Sequence, residues 1–216
     1  MQPVQKVLTT LLWGCAVLAM VSVIGANLMR DRASAGAGED AGALRHLGNA
    51  PAFSLIDQNE RPVTLESLKG KPFIADFIFT KCAGPCPVMS ATMKTLRKKV
   101  PADVNFVSFS VDPKQDRPAV LREYAAIFST DDARWHFLTV AKPEDAAAMY
   151  TLARGMLLTA TPADARNPIL HDKHFVLVDS AGEIRGFYDS DDKSQMDQLI
   201  TDASALLHEP PAAGTK

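Results

Sequence analysis

The sequence predicts a mixed α/β fold, one sheet with helices on both faces, and three observations carry that expectation. Residues 73–79 (F-I-A-D-F-I-F) are almost continuously apolar, the pattern of a central strand covered on both sides. Strand-like and helix-like periodicities then alternate as far as Gly155. The alternation ends in a hairpin signal at Ser180-Ala181-Gly182 and a closing amphipathic stretch, so an antiparallel pair joins the sheet.

Each element has its own warrant. Ala52–Ile56 and Pro62–Leu65 are β-rich and predict an N-terminal β-hairpin added to the core. After the central strand a helix runs from Pro87, with Cys86 as its cap, to Val100. Met89, Met93, Leu96 and Val100 form its apolar face, and Arg97, Lys98 and Lys99 gather at the end where cations suit the dipole. Val104–Val111 is the next strand, and a helix over Arg117–Phe128 carries Val120, Tyr124 and Ile127 on one stripe. His136–Val140 is a short strand. Pro143 opens a helix with Glu144 and Asp145 in its first turn and Gly155 beyond its end. Phe175–Asp179 and Glu183–Tyr188 form the hairpin, and Met196, Leu199, Ala203 and Leu206 mark the closing helix.

Composition narrows the function classes. The 216 residues are 47% hydrophobic and 22% charged, ordinary for a globular chain, which excludes disorder and collagen. A net charge of -2, from 23 basic and 25 acidic residues, offers no basic field for a nucleic acid. The 3 cysteines are too few for a disulfide scaffold. Residues 7–29 carry no charge and are bounded by Lys6 and by Arg30, Asp31 and Arg32, long enough to cross a hydrocarbon core of about 30 Å. Residues 1–30 are therefore expected to be a membrane anchor with a transmembrane helix over 7–29. The competing readings are a signal peptide cleaved at Ala33-Ser34-Ala35 and a lipoprotein signal at Leu12-Trp13-Gly14-Cys15. The apolar run is too long for the first, and it continues past a bulky Trp in the second. Cys15 then sits in lipid. Flanking charges balance and leave orientation open. Residues 31–49, rich in Ala and Gly, read as a flexible tether, 50–208 as the folded domain and 209–216 as a disordered tail.

The chemistry concentrates in Thr80-Lys81-Cys82-Ala83-Gly84-Pro85-Cys86-Pro87. Two sulfurs at a helix N-terminus, with Lys81 beside them, predict at least one lowered thiol pKa, hence a nucleophile or a metal ligand. Blander readings are two cysteines that merely pack, or a structural disulfide. Two thiolates suit a soft ion such as copper, and imidazole is a suitable third ligand. Of the five histidines, His46 falls in the tether, His208 in the tail, and His136 opens an apolar strand as an edge residue. His171 follows the loop 159–168, and His174 abuts an apolar strand; both stay open as ligands. Asp76 stands in an otherwise apolar strand, where a carboxylate is costly unless partnered or turned to solvent. Met89 and Met93 fit core packing. Asp112, Pro113 and Asp116 are expected to shape a turn and cap the following helix, with partner docking as the alternative.

These residues resemble the Sco/SenC proteins of copper delivery and cytochrome oxidase assembly. The resemblance runs from about Ala50 to Leu207. It rests on Phe77-Ile78-Phe79-Thr80-Lys81-Cys82 with Cys86-Pro87, on Val111-Asp112-Pro113 with Asp116, and on His171 eight residues before Asp179 in a hairpin. It implies a thioredoxin-like domain, copper ligands at Cys82, Cys86 and His171, and a domain held in the periplasm by a single-pass inner-membrane anchor. Many relatives have Asp before the ligand histidine; here Leu170 precedes it and Asp172 follows. Asp76 also stands at the offset of the buried aspartate that handles the active-site proton in thioredoxins. The expected function is a metallochaperone that delivers one copper ion to the binuclear copper site of cytochrome c oxidase, or to another cuproprotein, with a thiol reductant as partner. The alternative is an extracytoplasmic thiol-disulfide oxidoreductase using the same cysteines. A thiol peroxidase, supported only by Thr80, is a distant third.

Overall fold

The computed structural model describes residues 44–128, 133–161 and 170–209. The anchor expected over 7–29, most of the tether, most of the loop before His171 and the tail from residue 210 lie outside the described residues. Among the described residues no helix is long and apolar enough to cross a membrane.

The chain forms β1 (Gly48–Asn49), β2 (Ser54–Ile56), β3 (Pro62–Thr64) and the single turn α1 (Leu65–Leu68), then β4 (Phe73–Ile78), α2 (Pro85–Lys99), β5 (Asn105–Ser110), α3 (Pro118–Ile127) and β6 (Trp135–Leu138). A 3-10 turn (Pro143–Ala146) leads into α4 (Ala147–Gly155), followed by β7 (Ala160–Thr161), β8 (Leu170–His171), β9 (His174–Val178), β10 (Glu183–Asp189) and α5 (Lys193–Ala205). The main sheet has the order β1-β10-β9-β4-β5-β6; β4, β5 and β6 are parallel, and β9, β10 and β1 add antiparallel neighbours. This is the mixed sheet that the sequence predicts. The expected N-terminal hairpin is the pair β2-β3, joined to the sheet's far edge by mutual bonds between Ile56 and Thr139. Buried Gln58 finishes that edge, its amide donating to Trp135 O at 3.2 Å and accepting from Phe137 N at 2.9 Å, so β6 presents fewer unpaired groups.

Strand alternation splits the interior into two cores. On one face Ile74, Ile78, Phe106, Trp135, Phe137, Phe175 and Leu177 meet α2, α3 and α5. On the other Phe73, Ala75, Phe77, Val107, Phe109, Val176 and Val178 meet α4 and the hairpin. Because β4, β5 and β6 follow one another in one direction, right-handed crossovers place α2 and α3 on the same side. At Gly182 φ is +88°, a backbone geometry that suits glycine in the turn between β9 and β10.

Three expectations need correction. Residues 44–49, assigned to the tether, are part of the fold: Leu47 N donates to Ile184 O and Ala50 N to Gly182 O, both at 2.9 Å, and β1 pairs with β10. So short a stretch offers no periodicity to reveal this. The buried face of α3 is Pro118, Leu121, Tyr124 and Ala125, leaving Ile127 69% exposed, so the helix is rotated by one residue from the expected stripe. Helix α2 starts at Pro85 rather than Pro87. Both prolines suit a first turn, whose N–H groups go unused, and the chain takes the earlier one with Gly84 as cap.

Candidate functional site

The parallel strands β4, β5 and β6 end on one side of the molecule; Cys82 and Cys86 follow that end of β4, and Asp76 stands two residues inside it. Cys82 lies in the turn leaving β4, its N–H donating to Phe79 O at 3.2 Å, and is half-buried. Cys86 falls inside the first turn of α2 and is fully buried. The two thiols hydrogen-bond to each other. The expected lowering of thiol pKa reverses at Cys86: burial pushes it well above the usual thiol range, and the neighbouring Cys82 and Asp76 push the same way. With the helix starting at Pro85, Cys86 lies beneath the surface of the terminus instead of capping it.

Asp76 resolves to the buried alternative. It shares the face of Ile74 and Ile78, is 0% exposed, and both its carboxylate oxygens are buried without a well-formed hydrogen bond among the described residues. Burial raises its pKa from 3.8 to about 7, against a smaller downward pull from Ser108, its partner on β5. Around it stand Trp135, whose Nε1 donates to Ser108 Oγ at 3.0 Å, and the Ser90–Tyr124 hydroxyl pair at 2.9 Å. Met89 and Met93 pack in the same core, as expected.

Register brings the start of β9, at His174 and three residues after His171, to the same end. Ala75 pairs with Val176 and Phe73 with Val178, so β9 begins where β4 ends. The backbone of His171 lies in β8 opposite Ala160, just before β9; its side chain lies outside the described residues. His174 shares the strand face of Val176 and Val178, opposite to that of Cys86, and its Nδ1 is paired with Asp172. Asp172 thus orients His174, and the same carboxylate accepts the His174 N–H at 3.0 Å. His136 stands 3.8 Å from the Asp57 carboxylate, with burial holding its pKa down, as an edge residue.

Two clusters were not anticipated. Asp116 does not cap α3, whose cap is Arg117 without a side-chain bond. Its buried carboxylate accepts from Thr80 Oγ1 at 2.5 Å, Thr80 N at 3.1 Å and Ser110 Oγ at 2.6 Å. The available signal was the serine at alternate positions of N-F-V-S-F-S, which marks a polar line on one strand face. His46, instead of lying free in a tether, is paired with Glu183, and their ligand atoms lie within 4.8 Å of Asp179. Asp179 is already committed, accepting from Ala181 N and Glu183 N at 2.9 Å and from Arg185 Nη1 at 2.8 Å, so this cluster is a structural tie.

A family model described as SCO1/SenC matches residues 44–208. This chain belongs to the SCO1/SenC family. The SCO1 protein homolog of Bacillus subtilis is 34% identical over 156 residues, 71% of this chain and 80% of that protein. Among solved structures, BsSco, described as a member of the Sco family of cytochrome c oxidase assembly proteins with a disulfide switch, superposes with a TM-score of 0.66 at 32% identity. The match covers 77% of this chain and 99% of that one. ScoI of Bradyrhizobium japonicum, solved with copper bound, gives 0.60 at 26% identity over 72% and 97%. The fold is the thioredoxin-like fold of these Sco proteins, with its central mixed sheet between helices.

Proposed function

We propose that this Sco-family protein is a copper metallochaperone whose cargo is held by Cys82, Cys86 and His171 and passed to the binuclear copper site of cytochrome c oxidase during assembly. The observation that supports this most is positional. Two neighbouring thiols, one half-buried and one buried, follow the end of β4, and the backbone of His171 stands three residues before β9, which begins at that end. Two sulfurs and an imidazole are the donor set a soft copper ion takes. His174 is the weaker third ligand, because Asp172 occupies its Nδ1 and its strand face points away from Cys86. Relatives named as copper-binding or solved with copper support the cargo. The chain's own residues perform the binding: Cys82 and Cys86 release their protons to the metal, and the half-buried Cys82 is the side from which an acceptor exchanges ligands. A disulfide between the pair removes both donors, so loading follows the redox state of the compartment and calls for a thiol reductant. Residues 7–29 as a single-pass anchor would hold this domain on the periplasmic side of a bacterial inner membrane.

A second reading, a thiol-disulfide oxidoreductase, draws on Asp76. A carboxyl with a pKa of about 7 beneath Cys86 can take or return the thiol's proton near neutrality. In that reaction the Cys82–Cys86 dithiol becomes a disulfide as the client's disulfide becomes two thiols.

The test is copper stoichiometry and affinity of the reduced full chain beside its His171→Ala and His174→Ala variants. About one copper per chain, with a large loss in His171→Ala alone, is expected. Weak binding indifferent to both histidines would refute the chaperone reading and leave the oxidoreductase.

A further inference from the structure

We infer that Asp116 is a positioning residue for Cys82, acting through Thr80; the inference rests on the reading that Cys82 and Cys86 are working thiols. The last ladder bond between β4 and β5 runs from Val111 N to Ile78 O at 2.8 Å. Beyond it the chain leaves the sheet, and the Thr80 N–H would have no strand to pair with. Asp116 supplies the missing acceptor, taking both the N–H and the hydroxyl of Thr80. Cys82 follows two residues later.

The clamp is built on a rigid base. Asp116 N donates to Asp112 O at 2.8 Å, and Asp112 N to Ser110 Oγ at 3.1 Å. Arg117 fixes the far side of the same loop, its guanidinium donating to Val140 O at 3.0 Å, Ala141 O at 2.8 Å and Pro113 O at 3.3 Å. Lys81 Nζ adds a second tie from the cysteine loop, to Gln115 Oε1 at 3.1 Å. A carboxylate at 0% exposure is a costly device for a residue that, among the described residues, neither caps a helix nor faces a cation, and two of the three bonds it accepts come from Thr80, the third from Ser110. Cys86 is placed by α2 and Cys82 by this clamp. The approach of the two sulfurs is therefore set by a tie between residues 36 positions apart.

The consequence is a high effective concentration of one thiol toward the other, since the clamp removes freedom that disulfide closure or metal capture would otherwise have to remove. A purely structural Asp116 would lower the melting temperature of dithiol and disulfide forms alike and leave their ratio unchanged. The experiment is the equilibrium of the full chain, in a Cys15→Ser background, with glutathione buffers, read as the ratio of disulfide to dithiol. Thr80→Ser should match the parent, and Asp116→Asn, which can still accept from Thr80 N and donate to its hydroxyl, should recover most of the ratio. Thr80→Val and Asp116→Ala should lower it about tenfold. If Asp116→Ala does not fold, Thr80→Val, which removes one hydroxyl, decides alone. A folded Thr80→Val whose ratio stays within about twofold of the parent overturns the inference, the tenfold loss expected being far larger. A parent that forms no disulfide at any buffer ratio overturns both the inference and its thiol premise. A failure of copper binding with the tenfold loss intact removes only the copper reading.

Discussion

Replacing Asp76 by asparagine should stabilise the protein, and by an amount that grows with pH. The unfolded chain releases this proton at the ordinary value of 3.8, whereas the folded chain holds it to about 7. As pH rises through that window the unfolded state gains the ionised form and the folded state does not, so the parent loses stability. At 1.36 kcal/mol for each unit of pKa difference, the loss reaches about 4 kcal/mol once pH exceeds 7. No discount for solvent applies, because the group is fully buried. The asparagine amide does not titrate, and every other ionisable group is common to both chains, so their difference isolates this carboxyl. Urea unfolding of the reduced proteins at several values between pH 4 and pH 8 should give stability curves that diverge by about 1.4 kcal/mol per pH unit and run parallel above pH 7. Curves parallel throughout would show that the carboxyl titrates normally, and would remove the proton-handling role assigned to it.

Two further outcomes follow from described contacts. Arg185→Met should cost about 3–5 kcal/mol in urea unfolding. It removes the cation that faces the buried Asp179 carboxylate, which keeps only its two backbone N–H donors, and takes the guanidinium from Glu209 and from the carbonyls of Leu44 and Arg45. A loss below about 1 kcal/mol, the level of an exposed pair, would show that the guanidinium is not a buried tie. Copper affinity of the reduced chain should rise at least about tenfold per unit between pH 6 and pH 8, because burial keeps the Cys86 proton in place and the metal must displace it. Competition with a chelator whose own proton dependence is known reads this directly, and a flat profile would exclude Cys86 as a ligand.

How far the sequence could be read depended on the range of the interaction involved. The β4 run, the Met89–Met93–Leu96 face and the Gly182 turn announce themselves within a few residues, and they stand where expected. Asp76 was legible as an anomaly, yet its side of the strand was not. Period-2 alternation has two phases, and only the packing of α2 against Ile74 and Ile78 selects one. The face of α3 was missed by one residue because Val120 and Leu121 are equally apolar, and the choice lies with the sheet beneath. Both cysteines were evident, but the environment of Cys86 was not. A helix dipole can be inferred from a proline, whereas burial under a protein interior cannot. Asp116 and Arg185 were missed for a third reason: each has one partner six positions away, at Ser110 and Asp179, but the partners that show what they tie together lie 36 and 141 positions away in the chain. His46 followed Arg185 into the fold.

The Arg185 tie also settles where this domain can be held. Its guanidinium gathers the chain as it arrives, at Leu44 and Arg45, and as it departs, at Glu209. It sits beside Ile184, which pairs with Val178 at the level of Phe73, where β4 starts. The cysteines follow the other end of that strand, about 20 Å away at 3.3 Å per residue. Both ends of the domain therefore meet at the pole opposite its thiols. The chain from residue 44 is tied first to β10, through β1, and to one buried cation. Among the described residues the first and last stretches, at Leu44 and Glu209, leave the domain at the far end of β4 from its sulfurs, so a bulky reporter or a surface coupled there is attached about one strand length from Cys82 and Cys86.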